Sequence, residues 1–227
     1  SGMTSALGHE TNQPRAAAGA HARSAQELLH GPRADLARAD KNLATLIGEI
    51  DLASGIVRRM REFLRRGQPH VSTIDVRQML DDSLALIQPD AAARQIVIEL
   101  DLPEGLPPVY GDRVQLQQVI LNLVRNAIDS IWDAGRSAGR IVVQVRHSDH
   151  SPYLEIGVAD NGPGIPAELA DRLFQPLTTS KAEGLGLGLS ICLAIVEGHG
   201  GRIWLHANAT GQTEFRFSLP LEPPRQT

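Results

Sequence analysis

The clearest order in the chain is the spacing of its apolar side chains. Leu36, Ala39, Leu43, Leu46, Ile50, Ala53, Val57, Met60 and Leu64 recur at alternating steps of three and four. That spacing lays one stripe along a helix of about thirty residues, and Ile47, Ile56 and Phe63 widen it. Upstream, residues 4 to about 29 are alanine-rich with Leu7, Leu28 and Leu29, which favours a first helix bent near Pro14, where one internal hydrogen bond is lost. His30, Gly31, Pro32 and Arg33 separate the two. The expected product is a helical hairpin. Its first helix is too poor in large side chains to cover the stripe alone. A second copy of the hairpin would supply the missing face and form a dimeric antiparallel four-helix bundle. A core helix of an ordinary globular domain is the plainer alternative.

Past Gly67, Gln68 and Pro69 the pattern changes. Thr73 to Val76 reads as a short strand, Arg77 to Gln88 as an amphipathic helix and Ile96 to Leu102 as an alternating strand. After a turn-rich loop, Pro103 to Pro108, Asp112 is placed to cap a helix running to about Trp132. Arg140 to Arg146 and Leu154 to Ala159 are expected strands, joined by the polar stretch His147 to Pro152. Gly162 to Gly188 is mostly loop, with a short helical piece near Pro166 to Leu173. A helix over Leu189 to Glu197 and strands over Arg202 to His206 and Glu214 to Leu219 finish the chain. Irregular alternation of helices with a mixed sheet indicates an α+β sandwich with helices on one face.

Composition narrows the picture little. With 227 residues and 42% hydrophobic content there is room for one large or two small domains, and 4% aromatics make the core aliphatic. A net charge of −4 gives no basic field for nucleic acid or an acidic membrane. The single cysteine, Cys192, excludes an internal disulfide, which suits a reducing compartment such as the cytoplasm. No apolar run is long enough to cross a bilayer, so no membrane contact is expected for this fragment. Ser1, Gly2 and Met3 read as a remnant ahead of a segment cut from a longer chain.

Four clusters between Asn122 and Leu189 carry chemistry: Asn122 and Asn126 in LNLVRNAID, Asp160 to Ile165 in DNGPGI, Phe174 to Lys181 in FQPLTTSK, and Gly184 to Leu189 in GLGLGL. Amide ligands, a lone carboxylate and two glycine loops leading into a helix are the parts of a nucleotide pocket that also holds a metal ion. A carboxylate at Asp160, on a strand end, can accept the amine hydrogen of adenine and would repel the carbonyl of guanine. Gly162 and Gly164 let the backbone approach a ligand closely. Gly184, Gly186 and Gly188 precede a helix whose first N–H groups and dipole favour phosphate. Asn126 offers a hard amide oxygen of the kind Mg²⁺ accepts beside phosphate and water oxygens. Asn122 lies one turn earlier on the same face. Taken singly, each motif is also an ordinary turn or a solvated polar residue.

Together and in this order, the clusters resemble the N, G1, F and G2 boxes of the GHKL (Bergerat-type) ATP-binding domain, and HETNQP at His9 to Pro14 resembles the phospho-acceptor box of sensor histidine kinases. The resemblance implies a hairpin for dimerisation and phospho-acceptance at 4–66, a linker at 67–72 and a catalytic ATP-binding domain at 73–221. It implies ATP and Mg²⁺ as cofactors, with Asn126 the metal ligand. The nucleotide would be bound by Asn122, Asn126, Asp160, Gly162, Gly164, Ile165, Phe174, Thr179, Ser180, Lys181, Gly184, Gly186, Leu187, Gly188, Leu189 and Thr213. Arg125 could add to Lys181 in neutralising the triphosphate, and the loop between the glycine clusters would act as a lid.

His9 would be the nucleophile, because a neutral imidazole can attack the γ-phosphorus in line. By the same resemblance Glu10 takes or orients the other ring proton, while Asn12 and Gln13, at i+3 and i+4, lie under His9. Only the HETNQP context separates His9 from the rest of eight histidines. The expected partners are a second copy of the chain and the receiver domain of a response regulator, whose aspartate takes the phosphoryl group. Related ATPases carry a water-activating glutamate where this chain has Asn122, and an amide cannot act as that base. A GHKL ATPase, a serine kinase of the anti-sigma kind and a nucleotide-bound scaffold are the rival functions. Thr11, Arg15, Leu177, Thr178 and Leu185 depart from the common pattern, which bears on acceptor packing and lid docking.

Overall fold

The computed structural model describes residues 19–29, 35, 36, 38–47, 50, 71–136, 138–148, 150–176, 178 and 186–222. The chain divides into two units between Gly67 and Gln68. The expectations for residues 4–18, 30–34 and 51–66, including His9, Glu10, Asn12 and Gln13, fall outside the described residues.

In the first unit, residues 19–29 form helix α1, and the described residues 36, 38–47 and 50 belong to a second helix, α2. The Asp35 carboxylate accepts from the Arg38 N–H at 3.1 Å, the bond that opens a helix. Asn42 on α2 donates to the Ser24 hydroxyl on α1 at 2.9 Å. Ala25 and Ala39, both buried, mark where the helices approach. The rest of the described stripe behaves differently: Leu36 is 70% exposed and Ile50 51%, with Leu43 and Ile47 open as well. Among the described residues of the stripe, Leu36, Leu43 and Ile50 are thus open, Leu46 is half-buried and Ala39 is covered.

The second unit is a five-stranded mixed sheet with helices against one face. Its strands are β2 (Ile96–Asp101), β4 (Gly139–His147), β5 (Tyr153–Asp160), β7 (Gln212–Pro220) and β6 (Arg202–Ala209), in the spatial order β2-β4-β5-β7-β6. Only β2 and β4 pair in parallel; the others are antiparallel. Side chains alternate as the period of two demands. Ile141, Val143, Val145, Leu154, Ile156 and Val158 are buried, while Arg140, Gln144, Arg146 and Glu155 take the other side. Between Leu205 and Ala207 the β6–β7 register slips by one residue, a β-bulge at His206.

Three helices cover the buried face: α3 (Val76–Ala93), α4 (Arg113–Asp133) and α6 (Gly188–Gly198). Helix α4 is the spine. It buries Leu116, Val119, Ile120, Leu123, Val124, Ala127, Ile128 and Ile131, each large one of them contributing about 1.5–3 kcal/mol. Asp112 caps it as expected, accepting from the N–H groups of Val114 and Gln115. A four-residue helix, α5 (Ala167–Ala170), lies in the long loop before α6.

Three boundaries depart from the sequence reading. The first strand, β1, is Ser72–Ile74 and stops where the Asp75 carboxylate caps α3 by accepting from Gln78 N–H at 3.0 Å. Helix α3 runs on through Pro89 to Ala93. Packing overrides the proline: Ala91 is fully buried, and Arg94 just beyond bonds Asp129 at 2.8 Å. Finally, Val109–Gly111 forms a strand, β3, that pairs with β1. Three residues are too few for an alternation to show.

Candidate functional site

The site lies where α4 and α6 run antiparallel beside the end of β5. One close approach and two hydrogen-bonded contacts mark that antiparallel course. At one end Asn126 Nδ2 lies 3.9 Å from the point a Cβ on Gly188 would occupy. In the middle the Cys192 thiol donates to Val119 C=O at 3.9 Å and meets the side chain of Asn122. At the far end His199 accepts from the backbone N–H of Asp112. Both asparagines thus face α6. The Cys192 thiol is pushed up to about 12 by burial, against the opposing pull of Asn122, so it stays protonated and inert.

Helix α6 begins at Gly188, and its N-cap residue Leu187 makes no side-chain capping bond. Ile191 N–H makes the first helical bond, to Leu187 C=O. The preceding amides therefore point out of the helix beside Asn126, which is what an anion needs there. Gly186 has φ +60°, Leu187 is buried and Leu189 packs on the core, so this turn is anchored from below. Arg125 stands exposed on α4.

At the other end of the site Asp160 closes β5. Its side chain is buried, and its Oδ1 accepts from Gly162 N–H at 2.8 Å. Burial pushes the carboxyl up to about 6, while the Gly162 N–H and the charge of Arg136 pull the other way. Thr213 sits directly opposite Asp160 on β7. Its buried hydroxyl has no hydrogen-bond partner among the described residues, a costly state that a bound polar group would relieve. Gly162 completes this corner. A Cβ there would lie 2.6 Å from Asp160 Oδ1 and 2.8 Å from Ser130 Oγ, so only glycine fits.

Asn161, next to Asp160, does other work. It accepts from Arg140 N–H at 2.8 Å and donates to Ala138 C=O at 2.7 Å, sewing the end of β5 to the start of β4. The loop then turns through Gly164, at φ +91°, to Ile165. Ile165 packs on the core and bonds the side chain of Asn208. Phe174 stacks edge-on against Phe215, ring centroids 6.3 Å apart, and so anchors the loop after α5 to the sheet. Thr179, Ser180, Lys181 and Gly184 lie outside the described residues.

The fold thus places Asn122, Asn126, Gly186, Leu187, Gly188 and Leu189 where α4 meets α6, and Asp160, Gly162, Gly164, Ile165 and Thr213 at the end of β5, with Ser130 of α4 beside Gly162 joining the two chemically distinct ends. One end offers a buried carboxylate and an orphan hydroxyl; the other offers amides and a helix N-terminus. Sequence reasoning missed Ser130, Arg136, His199 and Asn208. Ser130 alone left a signal, since it continues the Asn122, Asn126 face by one more turn.

The profile of the histidine kinase-, DNA gyrase B- and HSP90-like ATPases matches residues 111–223. The sensor protein FixL of Bradyrhizobium diazoefficiens is 35% identical over 225 residues, covering 96% of this chain and 43% of FixL. The chain thus spans less than half of that relative. The catalytic domain of histidine kinase ThkA, in a nucleotide-free form, superposes with a TM-score of 0.59 at 30% identity, over 68% of this chain and 99% of that one. Histidine kinase ThkA in complex with the response regulator protein TrrA gives a TM-score of 0.79 at 25% identity, over 100% of this chain and 63% of that one.

Proposed function

This chain belongs to the sensor histidine kinases, and from that premise we propose that it is the catalytic core of one: it binds ATP with Mg²⁺, phosphorylates its own His9 and hands the phosphoryl group to an aspartate of a response regulator. The observation that carries the reading is the pairing of Asp160 with Thr213 at the floor of the site, a buried carboxylate beside an unsatisfied hydroxyl. Adenine fits that pair, donating from its amine to Asp160. Its phosphates would then extend toward the N-terminus of α6.

Among the described residues there is no group of three or more acidic, histidine or cysteine side chains able to hold a metal. The donor set suits Mg²⁺ nonetheless, since that ion takes one or two protein oxygens beside phosphate and water. The Asn126 amide oxygen would be the protein ligand. When bound, the ion neutralises charge between the phosphates. Asn122 has no carboxylate with which to activate water, and its side chain is engaged with Cys192. The terminal phosphate is thereby kept for His9, whose ring nitrogen forms the new N–P bond as the bond to the ADP oxygen breaks. Glu10, Asn12 and Gln13 would orient the imidazole, and Thr179, Ser180, Lys181 and Gly184 would close over the phosphates.

The hairpin at 4–66 would form the homodimer through its exposed Leu36, Leu43, Ile47 and Ile50, joined by 67–72 to the ATP-binding domain at 73–221. No helix among the described residues is long and apolar enough to cross a membrane, and a cytoplasmic setting suits an ATP-dependent phosphotransfer. Incubation with γ-labelled ATP and Mg²⁺ tests the reading. Acid-labile label that disappears in His9→Ala and moves to a receiver domain is expected. Steady ATP turnover without label would favour an ATPase, acid-stable label a serine kinase, and binding without label a scaffold.

A further inference from the structure

We propose that Asn208 is a positioning residue for the nucleotide site, turned toward it by the bulge at His206; the proposal rests on the nucleotide reading above. Leu205 pairs with Phe215, so an unbroken register would set His206 against Glu214 and Ala207 against Thr213. The observed register instead sets Ala207 against Glu214 and Asn208 against Thr213. One extra residue thus exchanges the faces of Ala207 and Asn208. Because Thr213 in turn pairs with Asp160, the bulge completes a row of three polar side chains, Asp160, Thr213 and Asn208, across β5, β7 and β6.

What Asn208 does there is defined by two bonds to one residue. Its Oδ1 accepts from Ile165 N–H at 2.8 Å and its Nδ2 donates to Ile165 C=O at 2.9 Å. The same hairpin holds the other end of the loop, where Gly211 N–H donates to Gly162 C=O at 2.8 Å. Between these anchors Gly164 has φ +91°, and a Cβ on it would lie 3.3 Å from Asn208 Oδ1. The loop from Gly162 to Ile165 is therefore bonded at both ends to the tip of β6 and β7. Its first residue is the one that bonds Asp160. Both of these side-chain bonds of Asn208 go to the backbone of Ile165. Asn208 acts by keeping the loop backbone, and with it the mouth beside Asp160, in one conformation before ligand arrives.

The test compares the whole chain with Asn208→Ala and Asn208→Asp. Dissociation constants for ATP and ADP with Mg²⁺ are measured by calorimetry and for adenosine by NMR titration, alongside hydrogen exchange at Ile165. In Asn208→Ala all three ligands should weaken by a similar factor, roughly tenfold, because the change acts at the base end. The Ile165 amide should exchange faster while the amides of β5 keep their protection. Asn208→Asp, which retains the acceptor, should recover part of the affinity, a rescue that loss of general stability would not produce. Unchanged affinities in Asn208→Ala, or a loss confined to ATP and ADP with adenosine unaffected, would overturn the assignment. Failure of the unsubstituted chain to bind any adenine ligand would instead overturn the nucleotide reading beneath it.

Discussion

The backbone N–H of Asp112 donates to Nε2 of His199 at 2.9 Å, tying the N-cap of α4 to the C-terminus of α6. The other ring nitrogen faces Ile195 C=O at 2.7 Å, so it carries the proton and the ring is neutral with both nitrogens used. His199 is buried, and a Cβ on Gly111 would lie 2.6 Å from its Cδ2. Replacing His199 by Leu removes the acceptor and should cost about 1–3 kcal/mol in urea unfolding. His199→Gln, which can still accept from Asp112, should lose less. Equal losses in the two variants would mean that the ring matters only as packing.

Asp160 makes a second case, in which function and stability oppose one another. Its folded-state pKa, about 6, lies above the ordinary value of 3.8, so the folded chain binds the extra proton between these values. Stability contributed by this group is greatest at low pH, falls as pH rises from about 4 to about 6 and stays low above that. At pH 8, Asp160→Asn should therefore be the more stable protein, by an amount on the order of 3 kcal/mol at most, and the gap should close toward pH 4. ATP affinity should move oppositely, dropping roughly ten- to a hundredfold in the variant. In the unsubstituted chain it should weaken as pH falls below about 6, where the carboxylate acceptor is lost.

Gly162 is tested by size alone. An alanine methyl would press on Asp160 Oδ1 and Ser130 Oγ, an overpacking worth about 1–3 kcal/mol, with ATP binding lost in proportion to the displacement of Asp160. Adding Ser130→Gly to Gly162→Ala should restore part of the stability, since it removes one of the two obstructing oxygens. Purely additive effects of the two changes in denaturant titrations would count against this.

The open face of α2 sets the last expectation. Leu43→Glu together with Ile47→Glu puts charge on two exposed apolar positions of the stripe. Sedimentation should show the unsubstituted chain as a dimer and the double variant shifted to monomer, with the ATP-binding domain still folded. A variant that remains dimeric would place the interface elsewhere.

Local signals were legible in the sequence and distant ones were not. Asp112, the bounds of α4 and the alternation in β4 and β5 follow from neighbours a few residues apart. The carboxylate at Asp160 and the glycines after it were legible too, because a strand end followed by a tight turn is a local arrangement. By contrast, β3 exists only through its pairing with β1, some thirty-five residues earlier. His199 finds its partner 87 residues back in the chain, and Asn208 reaches Ile165 across a separation of 43. The bulge that aims Asn208 is a mismatch between two strands, so neither strand alone encodes it. The run of α3 past Pro89 was hidden for a related reason: the core contact of Ala91, not propensity, sustains it.

Asp160 and Asn161 are nearly the same shape, yet one is turned inward and the other is bonded to backbone on both sides. Transposing them would keep the composition and almost every atom. An anion would then face the carbonyl of Ala138, and an amide would take the inner position. What distinguishes the inward carboxylate from the backbone-bonded amide at this corner is thus parity along a strand, an odd or even count, rather than any difference in the chemistry on offer.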